Sequence, residues 1–175
     1  ALTVSDVDSL SSVYALSNAG RQDTINVEWT AATVEGKADT ALVAANSTGL
    51  KGGLSTINVS NGNGIETVQL ATSGTNYLNV NGGTAAKTIT VTGSGTNNIT
   101  VTGANGALLL DASATTGDQT LTVTGYLSGT NDTILGGSGD DTVVAAISAT
   151  TVATITDIET LDLSFADAQT FDAKN

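Results

Sequence analysis

Short apolar–x–apolar pairs recur along the chain, first as Ile57-x-Val59, Val68-x-Leu70, Leu78-x-Val80, Ile89-x-Val91 and Ile99-x-Val101. The series continues through Leu108-x-Leu110, Leu121-x-Val123, Ile134, Val143, Val152, Leu161-x-Leu163 and Phe171. Alternation with a period of two marks a strand with one buried face. A strand about every ten residues leaves room for a tight turn and little else.

The polar positions between the strands carry turn chemistry. Asn-Gly pairs stand at Asn61-Gly62, Asn63-Gly64, Asn81-Gly82 and Asn105-Gly106. Both residue types adopt positive φ at small cost. Ser-Gly-Thr-Asn occurs at 73–76, 94–97 and 128–131, each time just before a strand. Ile65-Glu66-Thr67-Val68-Gln69-Leu70 returns as Ile158-Glu159-Thr160-Leu161-Asp162-Leu163.

Two all-β architectures suit this pattern. One is a parallel β-solenoid, β-helix or β-roll-like, with two or three strands per coil and coils stacked about 4.8 Å apart. The alternative is an antiparallel β-sandwich. Sandwich cores rely on large aromatic residues. Aromatics are 3% of this chain: Trp29, Tyr14, Tyr77, Tyr126, Phe165 and Phe171. Small aliphatic residues fill a narrow coil instead, which favours the solenoid. Each contributes about 1.5–3 kcal/mol when buried, and a lone coil cannot bury its face without neighbours.

The first fifty residues read differently. Val7, Leu10 and Tyr14 have helix-like spacing, and 31–45 is Ala-rich with mixed charge, although Asp23-Thr24-Ile25-Asn26-Val27 still looks like a strand. Residues 1–50 are therefore expected to be an N-terminal cap or connecting segment, and 51–175 a β-solenoid repeat domain. The opening Ala and the closing Asp172-Ala173-Lys174-Asn175 read as cuts from a longer chain.

Composition narrows the chemistry. The 175 residues carry 5 Lys and Arg against 17 Asp and Glu, a net charge of -12, with no Cys, His, Met or Pro. That removes disulfides, thiolate zinc sites and His-based catalysis. It argues against nucleic acid as a partner. No apolar run reaches the ~20 residues of a membrane span, so no membrane insertion is expected.

The sharpest local motif is Gly136-Gly137-Ser138-Gly139-Asp140-Asp141-Thr142-Val143-Val144, which fits the nonapeptide G-G-x-G-x-D-x-U-x at every fixed position. Glycines let a turn curl so that carbonyls face one centre, and the Asp adds a carboxylate. Ca²⁺ takes 6–8 such oxygens. Asp132 stands nine residues before Asp141 in a degenerate copy that includes Asn131. The candidate calcium ligands are thus Asn131, Asp132, Gly136, Gly137, Ser138, Gly139, Asp140 and Asp141, with a metal-free Gly-rich turn as the competing reading. In a further copy Asn97 replaces the Asp; it is expected to hydrogen-bond along the stack.

With its Ile-Glu-Thr-Leu/Val-x-Leu repeats and Thr/Asn-rich strands, the region from Ser55 to Asn175 resembles the RTX-type bacterial surface-layer (S-layer) proteins. The resemblance implies a calcium-binding, structural, non-enzymatic coat protein. It implies export by type I secretion to the bacterial cell surface and self-assembly through homotypic lattice contacts. It also implies anchoring to cell-surface polysaccharide or lipopolysaccharide through other parts of a parent chain. Of the motif, Gly136, Gly137, Gly139 and Asp141 carry over, with Asp132 as the partner from the neighbouring register. Acidity suits a chain that self-repulsion keeps unfolded at low calcium and that folds once extracellular calcium neutralises it. A calcium-dependent adhesin or ice-binding module is the rival, since Thr88-x-Thr90-x-Thr92, Thr100-x-Thr102 and Thr120-x-Thr122-x-Thr124 could form outward ranks. A carbohydrate-active enzyme and the secretion module of an RTX lipase or protease are weaker alternatives.

Overall fold

The computed structural model describes residues 2–5, 13–16, 22–28, 39–59, 65–82, 87–103, 107–127, 130–148 and 152–165. Among these the strands are β1 (Leu2–Ser5), β2 (Val13–Leu16), β3 (Thr24–Glu28), β4 (Asp39–Asn46) and β5 (Ser55–Asn58). Then follow β6 (Ile65–Ser73), β7 (Thr75–Asn81), β8 (Thr88–Gly93), β9 (Thr96–Thr102) and β10 (Leu109–Thr115). The series ends with β11 (Gln119–Leu127), β12 (Thr130–Leu135), β13 (Thr142–Ile147), β14 (Val152–Thr156) and β15 (Thr160–Phe165).

Strands alternate between two sheets. One sheet runs β1-β3-β5-β7-β9-β11-β13-β15, the other β14-β12-β10-β8-β6-β4-β2. Every strand pairing is parallel. The molecule is therefore a parallel β-solenoid, and each coil gives one strand to each sheet. An antiparallel sandwich is excluded by that pairing.

Stacking in register turns the apolar alternation into files along the axis. Leu78, Ile99, Leu121 and Val143 are successive partners in the odd sheet. Val68, Ile89, Leu110 and Ile134 are their counterparts in the even sheet. All eight are buried in one continuous core. The narrow interior accepts one aliphatic layer from each sheet, which is why aromatic residues are dispensable.

The strand expectations around Asp23–Val27 and from Ile57 to Leu163 coincide with β3 and with β5 to β15; Phe171 lies outside the described residues. A boundary at residue 50 does not. β3 pairs with β5 and β4 with β6, so the sheets pass through that position unbroken. Tyr14 lies on β2, while Val7 and Leu10 fall outside the described residues. The alanines of β4 explain the difference: Ala41 and Ala45 are buried at alternate positions, so small size fits them to the core and not to a helical cap.

Candidate functional site

The Gly136–Asp141 turn links β12 to β13 and lies on one edge of the solenoid. Its neighbours along that edge are the turns before β7, β9, β11 and β15. Register fixes who faces whom. Asn76 partners Asn97, and Asn97 partners Gln119. Thr120 partners Thr142 and Thr142 partners Thr160, which places Gln119, Asp141 and Glu159 in the same file. The residue just before or at the start of each strand thus forms one polar row: Asn76, Asn97, Gln119, Asp141, Glu159.

Hydrogen bonds run the length of this row. The Asn76 Oδ1 accepts the Thr48 amide N–H at 3.2 Å. Asn76 Nδ2 donates to Asn97 Oδ1 at 2.8 Å, and Asn97 Nδ2 donates to Gln119 Oε1 at 2.7 Å. The Gln119 amide N–H donates to Asp141 Oδ1 at 2.7 Å, and the Asp141 N–H donates to Glu159 Oε2 at 2.7 Å. Asn76, Asn97, Gln119 and Asp141 are all buried. Buried polar groups are tolerated only when paired, and here each file member pairs with the next coil. Asn97 therefore hydrogen-bonds along the stack as its replacement of Asp leads one to expect.

Asp141 has no exposed surface (0%). Its second oxygen, Oδ2, accepts the N–H of Gly137 within the same turn. Its carbonyl accepts the N–H of Glu159 at 3.1 Å and of Thr160 at 3.0 Å. Asp140 is exposed, and its N–H reaches Asp118 Oδ1 on the preceding coil at 3.0 Å. Ser138 is also exposed, and its N–H binds the Thr115 carbonyl at 3.2 Å.

The glycines of the motif make room for adjoining coils. A Cβ on Gly136 would overlap the Asp157 carbonyl oxygen of the next coil, and one on Gly137 would overlap Thr115 of the coil before. On Gly139 it would lie 2.7 Å from the carbonyl carbon of Gly117.

Asp132 and Asn131 belong to β12 and stand at its start, whereas Asp141 follows the turn at its end. The structure does not bring Asp132 and Asp141 together. Nine residues carry the chain from one edge of the solenoid to the other, and the same edge returns only after a whole coil. Asp132 is buried at its own edge, where Oδ1 accepts the Leu108 N–H at 2.9 Å.

A calcium ion needs several oxygens converging on a vacant centre. Both Asp141 oxygens already hold backbone N–H groups. The residues as arranged do not fit the ion that the resemblance places at Asp141.

Asn76 and Gln119 were missing from the residues that sequence reasoning picked out. Their signal is Gly-x-Asn/Gln/Asp at Gly74-Thr75-Asn76, Gly95-Thr96-Asn97, Gly117-Asp118-Gln119 and Gly139-Asp140-Asp141. Among the described residues no helix is long and apolar enough to cross a membrane. Compared with protein-family models, with curated proteins and with solved structures, the chain has no match.

Proposed function

We propose that the chain is a non-catalytic structural module of a secreted, self-assembling bacterial surface layer, joining further copies of itself through the exposed β15 coil. The observation behind this reading is the β15 coil. Leu161 is in register with Val143, and Phe165 with Ile147. The two inner residues are buried, while Leu161 and Phe165 are 38% and 45% exposed. The core files run out to the surface, beside a strand edge that another β-strand can extend.

Calcium enters this proposal at the exposed carboxylates. Asp118, Asp140, Asp157 and Glu159 sit on three successive turns of one edge and are all exposed. In a chain of net charge -12, their neutralisation by a divalent cation lowers the repulsion between copies. Secretion, residence at the cell surface and anchoring to polysaccharide or lipopolysaccharide by other parts of a parent chain complete the proposal.

Particle sizing by light scattering tests it, from chelated protein up to about 1 mM calcium, the range of extracellular modules. Growth beyond the monomer with calcium, abolished by the double variant Leu161→Glu/Phe165→Glu, is the expected result. A monomer at every calcium concentration overturns the reading.

An adhesin or ice-binding module is the second reading, favoured by the outer face of the odd sheet. Thr56, Asn79, Thr100 and Thr122 form one file, and Asn58, Asn81 and Thr102 the next. Thr88, Thr90 and Thr92 lie on the other sheet, so the ranks are narrower than the Thr spacing suggests. Thermal hysteresis of the purified chain separates ice binding from coat formation.

A further inference from the structure

We propose that the Gly136–Asp141 turn locks the coils together without a metal ion, its carboxylate satisfying backbone donors where the resembled repeats hold a cation. The choice of residue follows from counting donors. Asn76 and Asn97 each pass a side-chain N–H to the oxygen of the next side chain. An amide suits such a relay because it has one oxygen to receive and one NH₂ to give. Gln119 ends the relay: its Nε2 turns back to the carbonyls of Gly95, at 3.0 Å, and Gly117.

At Asp141 the incoming groups differ. Two backbone N–H donors arrive, Gln119 from the preceding coil and Gly137 from the turn itself. The second donor exists because this turn, residues 136–141, is longer than the one before β11, which spans only 116–118. The two donors reach different oxygens, Gln119 at Oδ1 and Gly137 at Oδ2, and an amide in this place would set its NH₂ against one of them. The site is sealed from water, so the pairing must be complete within the protein.

Asp132 repeats the device on the opposite edge. Leu109 partners Thr133, so Leu108 is level with Asp132, and its N–H is the one that Asp132 accepts. In both registers the motif Asp takes the N–H of the in-register residue one coil earlier. Beyond Asp141 the connection continues, since its own N–H and carbonyl bind Glu159 and Thr160 of the next coil. Folding of the solenoid is consequently independent of calcium. This inference rests on the strand stack and stands or falls separately from the coat reading, in which calcium acts between copies.

The test compares the full chain in chelator and in about 1 mM calcium, by far-UV circular dichroism and thermal unfolding. A strand spectrum kept in chelator is expected, with any calcium shift of the midpoint the same in the wild type and in Asp141→Asn. Asp141→Asn, which turns an NH₂ against one of the two backbone donors, is expected to lower the midpoint by about 3–10 °C with or without calcium. A coil spectrum in chelator overturns the proposal, as does a calcium-raised midpoint in the wild type that Asp141→Asn abolishes. Hydrogen exchange on the wild type decides the matter even when the variant does not fold. Slow exchange of the Gln119 and Gly137 amides in chelator supports the lock, and fast exchange overturns it. Particle sizing reads the coat proposal in the same samples, so either can fail alone.

Discussion

The glycines of the Gly136–Asp141 turn answer to the neighbouring coil more than to their own dihedral angles. The glycines with positive φ include Gly52, at 88°, and Gly74, at 66°, but none of Gly136, Gly137 and Gly139. Gly139→Ala sets a methyl against Gly117 and Asp118 backbone atoms at 2.7–2.8 Å, and is expected to cost about 1–3 kcal/mol, as overpacking does. Gly52→Ala meets nothing within 4 Å and pays only for its left-handed backbone, about 1 kcal/mol. Urea unfolding of the two variants ranks them. Asn97→Ala is a third case. It takes the Asn97 donor from the buried Gln119 Oε1 and leaves Asn76 Nδ2 with the Ser73 carbonyl, and is expected to cost about 1–3 kcal/mol, the cost of an unpaired buried group.

At the level of the strand, stability is a matter between adjacent coils. Leu110 lies between Ile89 and Ile134 in its file, with no exposed surface. Leu110→Ala is expected to destabilise by about 2–5 kcal/mol, and amide exchange should rise most in β8, β10 and β12, since each repeat is held mainly by its neighbours. Strand positions such as Leu78–Val80 and Leu121–Val123 were legible because a buried face writes itself as alternation. Sheet membership was not. Thr90 and Thr100 are ten residues apart and lie on different sheets, while Thr100 and Thr122 are adjacent partners. The two Ile-Glu-Thr copies likewise open strands of opposite sheets, β6 and β15. Local pattern reports whether a side chain points inward. It does not report how long a coil is, and coil length decides that Asp141 faces Gln119 and Glu159 and not Asp132. In β4 the strand was obscured for a related reason, two of its buried positions, Ala41 and Ala45, being filled by alanine.

On the scale of the molecule, the acidic turns stand apart from the neutral polar files. The odd sheet presents neutral Thr and Asn files over β5, β7, β9 and β11, while Asp118, Asp140, Asp157 and Glu159 gather at one edge. With a net charge of -12, copies repel at low ionic strength and less so once salt shortens the Debye length to about 8–10 Å. In the proposed assembly, moderate salt is expected to replace part of the calcium effect, and light scattering against ionic strength in chelator measures that part. Among the described residues the outermost odd strands are β1 and β15, and their free edges are chemically unlike, because all strands of a parallel sheet point the same way. Contact through them is head to tail and leaves a fresh end after each addition. By symmetry such growth generates open filaments and not closed pairs, so a flat coat built this way needs a second, sideways contact to bind its filaments into a sheet.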